Sequence, residues 1–296
     1  MSKERIKHLI DRCLPEAGLL ETGLKGVQLF KVNEAIPCVP AIYEPTVVAI
    51  VSGVKEAVLD GHRYAYDSSR YMLCPMTMPV EAGTPQASRE HPLLGVMIAL
   101  DPRVMRDLAL EMETAAGATR KPDQAASQGL ALARWDTGFS QALLRLLELL
   151  DSPMDMTVLG PGRLRELSYA VLKGEAGAVA KRAFGVGNEI ARTIDYLSNH
   201  LSEPVTIDDM ASQVGMSRAV FHRRFKQATT MSPIQFVKSM RLNRAAMKIS
   251  GGMNVSEAAM GVGYTSSSQF SREFKRMYGQ SPRQWSQSNQ PTAGVA

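Results

Sequence analysis

Cysteine is nearly missing from this chain of 296 residues: Cys13, Cys38 and Cys74 are its whole supply. They are odd in number, far apart and outside any metal-ligand spacing. That excludes a disulfide framework or a zinc module and points to a reducing compartment. No stretch approaches the roughly 18 apolar residues of a membrane helix. The opening residues Met1-Ser2-Lys3-Glu4-Arg5-Ile6-Lys7 are charged and lead into no apolar run, so a signal peptide is not expected either. The expected location is cytoplasmic, with no membrane partner. Enzyme signatures are absent as well. There is no Gly-X-Ser-X-Gly, no P-loop and no His-Glu-X-X-His. His62 and His91 stand alone, without the His-X-His, Glu and further His that a metal cupin would need, so neither a metal nor another cofactor is expected.

Hydrophobic content of 45% and charged content of 21% are those of a soluble globular protein, and the length allows two domains with separate cores. The net charge of +5 is modest but unevenly placed. From Asn188 onward there are 13 Lys and Arg against 7 Asp and Glu, while residues 1–187 hold 21 against 22. The excess positive charge thus sits wholly in the C-terminal third, as expected of a segment that binds nucleic acid.

That third says one thing twice. Ala211, Val214 and Gly215 recur as Ala259, Val262 and Gly263 at an offset of 48. Ser217, Phe221, Phe225, Lys226 and Pro233 recur as Ser266, Phe270, Phe274, Lys275 and Pro282 at an offset of 49. One residue has been added inside the second turn. Each copy reads as a helix, a turn whose Gly takes positive φ, a Ser N-cap and a second helix. The Phe pair at i, i+4 faces the core. The opposite face carries Ala219, His222, Arg223 and Lys226 in copy one. In copy two it carries Ser267, Ser268, Ser271, Arg272 and Lys275. Short polar and basic side chains suit a helix lying in the DNA major groove. Between the copies Pro233 starts a long helix to Ser250, with Arg241 and Arg244 as candidate phosphate contacts.

Two such hairpins, with the ending Tyr278-Gly279-Gln280-Ser281-Pro282-Arg283-Gln284-Trp285, resemble the DNA-binding domain of the AraC/XylS transcription regulators over roughly Asn188–Trp285. The resemblance implies double-stranded promoter DNA and RNA polymerase as partners, with recognition helices at about 218–229 and 267–277. Segments one turn apart on one DNA face lie about 34 Å from each other. By matching position, base contacts fall to Ala219, His222 and Arg223, then Ser267, Ser268, Ser271 and Arg272. Arg223 and Arg272 are the best readers, because Arg donates two bonds to guanine. Arg218, Arg224, Lys226, Lys275 and Arg276 suit phosphates. Ala219 departs from the family, where a larger reader often stands.

The N-terminal part reads differently. A short helix over 4–14 is followed by short β-rich runs at 27–32, 46–51, 55–59, 62–66, 71–74 and 94–100, with Asp60-Gly61 as a hairpin turn. Such spacing suggests a small antiparallel barrel or sandwich. Tyr43-Glu44-Pro45, Gly53, Tyr64, Tyr71, Pro79-Val80 and Asp101-Pro102 resemble the sensor domain of one AraC-type subgroup. There the domain is a cupin-like half-barrel receiving an unknown small-molecule effector. Cys38 and Cys74 are either structural thiols or sensors modified by an electrophile such as an aldehyde or oxidant. Phe139, Leu143, Leu146, Leu147 and Leu150 make an apolar stripe over 136–150, either packed on the sensor core or forming a homodimer seam; the resemblance favours the second. Gly160-Pro161-Gly162 reads as a break.

The expected architecture is α+β: a sensor and dimerisation domain over 1–184, a Gly-rich linker at 185–187, an all-α domain with two helix-turn-helix motifs over 188–286, and a disordered tail at 287–296. The expected function is sequence-specific transcription control, not enzymatic. The alternative is a cupin-type enzyme with an accessory DNA-binding tail.

Overall fold

The computed structural model describes residues 2–116, 129–185 and 188–288. Residues 117–128, residues 186 and 187 of the expected linker, and most of the expected tail lie outside the described residues. The chain divides into two compact units. One holds the residues up to Cys38, Glu44–Met76 and Ala82–Asn188; the other holds Val39–Tyr43, Thr77–Glu81 and the chain from Glu189 on. No helix among the described residues is long and apolar enough to cross a membrane.

The N-terminal strands are β1 (Gly18–Glu21), β2 (Val27–Val32), β3 (Ile36–Tyr43), β4 (Thr46–Ser52), β5 (Lys55–Leu59), β6 (His62–Tyr66), β7 (Arg70–Cys74), β8 (Met78–Thr84), β9 (Leu93–Ala99) and β10 (Ala131–Arg134). They form a six-stranded sheet in the order β1-β2-β9-β4-β7-β10 and a four-stranded sheet in the order β3-β8-β5-β6. The β-branched run on β4 is buried from Thr46 through Val51, because β9 and β7 flank it on either side. At the β5–β6 hairpin both Asp60 (φ 49°) and Gly61 (φ 77°) take positive φ, the conformation a two-residue turn between twisted strands requires. Gly95 on β9 has a different role. A Cβ there would meet the Phe30 ring of the paired β2 at 2.4 Å, so the ring lies directly over the glycine.

Strand β3 lies outside the expected runs, and two expectations fail here. Pro37 and Pro40 lie inside that strand. β3 is an edge strand, where a missing N–H donor costs little. The glycines flanking Pro161 do not break a helix. Helix α4 runs unbroken over Pro153–Lys173, N-capped by Ser152. Gly160 packs beside Leu24, whose Cδ1 would lie 2.6 Å from a Cβ placed there. The apolar stripe, finally, is not a homodimer seam. It lies on α3 (Thr137–Leu147), where Phe139, Leu143, Leu146 and Leu147 are 0–1% exposed. Helix α3 packs against α4 and against α1 (Ser2–Cys13), so these side chains are spent on the chain's own core. The first half of α4 instead exposes Met154, Val158 and Leu159.

The remaining helices of the first unit are α2 (Pro102–Ala116) and α5 (Gly177–Phe184). The second unit is helical from Glu189 on: α6 (Glu189–Asn199), α7 (Ile207–Gln213), α8 (Arg218–Thr229), α9 (Pro233–Ser250), α10 (Val255–Met260), α11 (Ser267–Tyr278) and α12 (Pro282–Ser288).

Candidate nucleic-acid interface

Both hairpins form as the repeat requires. Thr206 opens α7 with a capping box shared with Asp209. Ser217 caps α8, accepting from Val220 N, and Ser266 caps α11, accepting from Gln269 N. Gly215 (φ 63°) and Gly263 (φ 88°) supply the left-handed turns. The two turns differ in their surroundings. A Cβ on Gly215 would meet open space, whereas one on Gly263 would lie 2.8 Å from Leu201 O and 2.9 Å from Ser202 O.

Phe221 and Phe225 are fully buried, Phe225 lying edge-on to Phe236 of α9 with ring centroids 5.2 Å apart. Phe270 and Phe274 are equally buried, within a cluster that includes Tyr264, Trp285 and the C-terminal half of α9. With those rings turned inward, the opposite faces of α8 and α11 are turned outward. Arg218, Ala219, His222, Arg223 and Lys226 are exposed, and so are Ser267, Ser268, Ser271, Arg272 and Lys275. Among the described residues Arg223, Lys226, Arg272 and Lys275 form no ion pair. Arg218 is 3.4 Å from Asp208, and the Ser268 hydroxyl is 3.0 Å from that of Ser266. Unpaired cations beside short hydroxyls give a surface able to meet both phosphates and base edges.

Arg241 and Arg244 are placed otherwise than expected. The Arg241 guanidinium donates to Leu201 O and Glu203 O, both at 2.8 Å, and Arg244 donates to Ser198 O at 2.9 Å. They satisfy carbonyls at and beyond the end of α6, where basic groups also complement the helix dipole. The network behind α11 has no counterpart among the sequence expectations. Tyr264 donates to Glu273 at 2.8 Å, Gln269 donates to the same carboxylate at 3.2 Å, and Lys238 of α9 is 3.8 Å away. Burial raises the Glu273 pKa, but these hydrogen bonds and the nearby Lys238 and Arg272 outweigh it and hold the group ionised below its ordinary range. The repeat places Arg224 where copy two has Glu273, so only the second hairpin is tied to α9 this way. An open cavity of about 380 Å³ lies beside this network, lined by Val205, Met210, Ile234, Val237, Lys238, Arg241, Tyr264, Gln269 and Glu273, among others.

In the first unit, Cys74 is fully buried and donates to Met76 O at 3.1 Å. Burial pushes its thiol pKa up to about 12, which suppresses the reactive thiolate. Cys38 is half-buried with its sulfur 3.9 Å from Glu56 Oε2. Brief treatment of the native chain with iodoacetamide should therefore leave Cys74 unmodified until denaturant is added, as peptide mass spectrometry would show. Rapid native labelling of Cys74 would restore it as a sensor. His62 and His91 are both exposed.

Residues 23–179 match the family described as the AraC-type transcriptional regulator N-terminus, and residues 210–288 match a helix-turn-helix domain family. The chain belongs to the AraC-type transcriptional regulators. Among its relatives are the regulator MtrA of Neisseria gonorrhoeae, 40% identical over 80 residues, and the activator RhaS of Yersinia pestis, 33% identical over 91. The matches cover 27% and 30% of this chain and span only 27% and 33% of those relatives' lengths. The fold is similar to that of ToxT from Vibrio cholerae O395 bound to (E)-4-(8-methylnaphthalen-1-yl)but-3-enoic acid. That likeness has a TM-score of 0.57 at 13% identity and covers 88% of this chain and 98% of that one. A second ToxT structure, bound to unsaturated fatty acid, gives a TM-score of 0.51 at 12% identity, covering 92% and 95%.

Proposed function

We propose that this protein is a sequence-specific regulator that binds promoter DNA through α8 and α11 under control of a small molecule received by the N-terminal strands. Residues 188–286 act as the DNA-binding domain and residues 1–184 as the sensor. The observation that carries this reading is the duplicated hairpin with its unpaired Arg223, Lys226, Arg272 and Lys275 turned outward. Arg223 and Arg272 read bases with the short side chains beside them, while Lys226 and Lys275 neutralise phosphates. RNA polymerase is the output partner, in the cytoplasm. Control by a non-covalent effector is favoured over modification of Cys74, because that thiol is sealed in the core. The ligand-bound ToxT structures are consistent with such an effector.

Arg272→Ala should cost about 1–3 kcal/mol on the preferred site and relax preference at one base position. Lys275→Ala should weaken all sequences alike and lower the salt slope by about one unit. A selection of random duplexes followed by titration at two salt concentrations separates the two. Equal loss on preferred and random DNA for Arg272→Ala would sink the assignment.

A further inference from the structure

Lys55 occupies an unusual position for a cation. It lies on β5, with its ammonium 5.7 Å from the centre of the Phe30 ring of β2. That contact joins the two sheets, so the side chain reaches between them. Pleating sends neighbouring residues of a strand to opposite faces. In the β5–β6 register Lys55 pairs with Tyr66 and Ala57 with Tyr64, so one face holds the lysine and two tyrosines. Glu56 and Arg63 fall on the other face and pair with each other. The carboxylate next to Lys55 in sequence is thereby used up elsewhere. Among the described residues no carboxylate comes within ion-pairing distance of Lys55. The side chain is half-buried, so a solute can reach it. Its surroundings still exclude enough water to lower its pKa to about 8, with the Cys38 thiol the one group that opposes the shift. Buried charges are ordinarily paired, and one left unpaired among aromatic rings in a binding-type domain marks a ligand site.

We infer that Lys55 is the anchor for an amphipathic organic anion, its carboxylate paired with the ammonium and its apolar body lying against Phe30 and Tyr64. This rests on the reading of the N-terminal strands as a receiver of small molecules and names the chemical class received. The cation supplies the missing half of an ion pair, and the rings supply the apolar contact. An uncharged molecule of the same body would leave the lysine without its partner.

The test uses the full chain without DNA, so its outcome is independent of whether the promoter reading stands. Decanoate and 1-naphthoate are titrated calorimetrically, each against its alcohol, decanol or 1-naphthalenemethanol. Wild-type protein should bind at least one acid ten-fold or more tightly than its alcohol. Lys55→Met should abolish that preference while leaving alcohol binding within two-fold, and Lys55→Arg should retain most of it. Circular dichroism establishes that the variants are folded. Equal binding of acid and alcohol by the wild type, or an undiminished preference in folded Lys55→Met, would overturn the assignment. If the acid preference holds while promoter binding fails, the site stands and the regulator reading falls.

Discussion

Phe274→Ala should cost the C-terminal unit about 3–5 kcal/mol, the usual range for deleting a buried ring. The ring is fully buried and touches three others: Phe270 at 5.4 Å, Tyr278 at 4.7 Å and Trp285 at 5.7 Å between centroids. Trp285 is pinned to α9 by a 2.9 Å hydrogen bond from its indole to Ser250 Oγ, and Tyr278 donates to Asn243 at 2.8 Å. Such anchored neighbours cannot collapse into the cavity, which argues for the upper part of the range. Urea unfolding followed by near-ultraviolet dichroism measures the loss. A cost below about 1 kcal/mol would mean that this ring cluster is not the core of the second hairpin.

Lys55→Met has the opposite sign. Removing an unpaired, poorly hydrated cation should stabilise the ligand-free protein by about 2–3 kcal/mol at pH 7, against which the lost contact with Phe30 is about 0.5–1 kcal/mol. Its pH dependence follows from the lowered pKa. Below about 8 the lysine is charged in both states and the native state bears the full penalty. Between about 8 and the ordinary value of 10.5 the native state has released its proton while the unfolded chain keeps it, so wild-type stability rises with pH. The gain from Lys55→Met should therefore be largest near neutrality and shrink toward pH 10. Denaturant titrations at pH 7 and pH 10 read this directly. A destabilised variant at pH 7 would show that the ammonium has a partner in the native state.

What the sequence made legible follows from how local each cause is. The hairpins were readable because their determinants lie within a few residues: a glycine for the turn, a serine for the cap, a Phe pair one helical turn apart. The outward faces of α8 and α11 follow from those rings by geometry alone. The isolation of Lys55 was not readable. Lys55-Glu56 looks like a self-compensating pair in a list of residues. Only the strand register shows that the two charges face opposite ways and that Arg63 claims the carboxylate. The same holds for Arg241 and Arg244, whose acceptors lie some forty residues away. Strand β3 was hidden by Pro37 and Pro40, which are compatible with a strand only once it is known to lie on an edge. The leucines of α3 showed a helix stripe but not its neighbour, because periodicity tells that a face is apolar and not what covers it.

The unequal surroundings of the two turn glycines reach beyond stability. A Cβ on Gly215 would meet open space, so the first turn is not wedged against its neighbours and the exposed residues of α8 can change without disturbing it. Around Gly263 the chain is wedged against the carbonyls of Leu201 and Ser202, and Glu273 ties α11 to Tyr264 and Lys238. New promoter preferences should therefore be gained more readily by evolving or engineering the first half of the operator contact, with the second half serving as the fixed frame of reference.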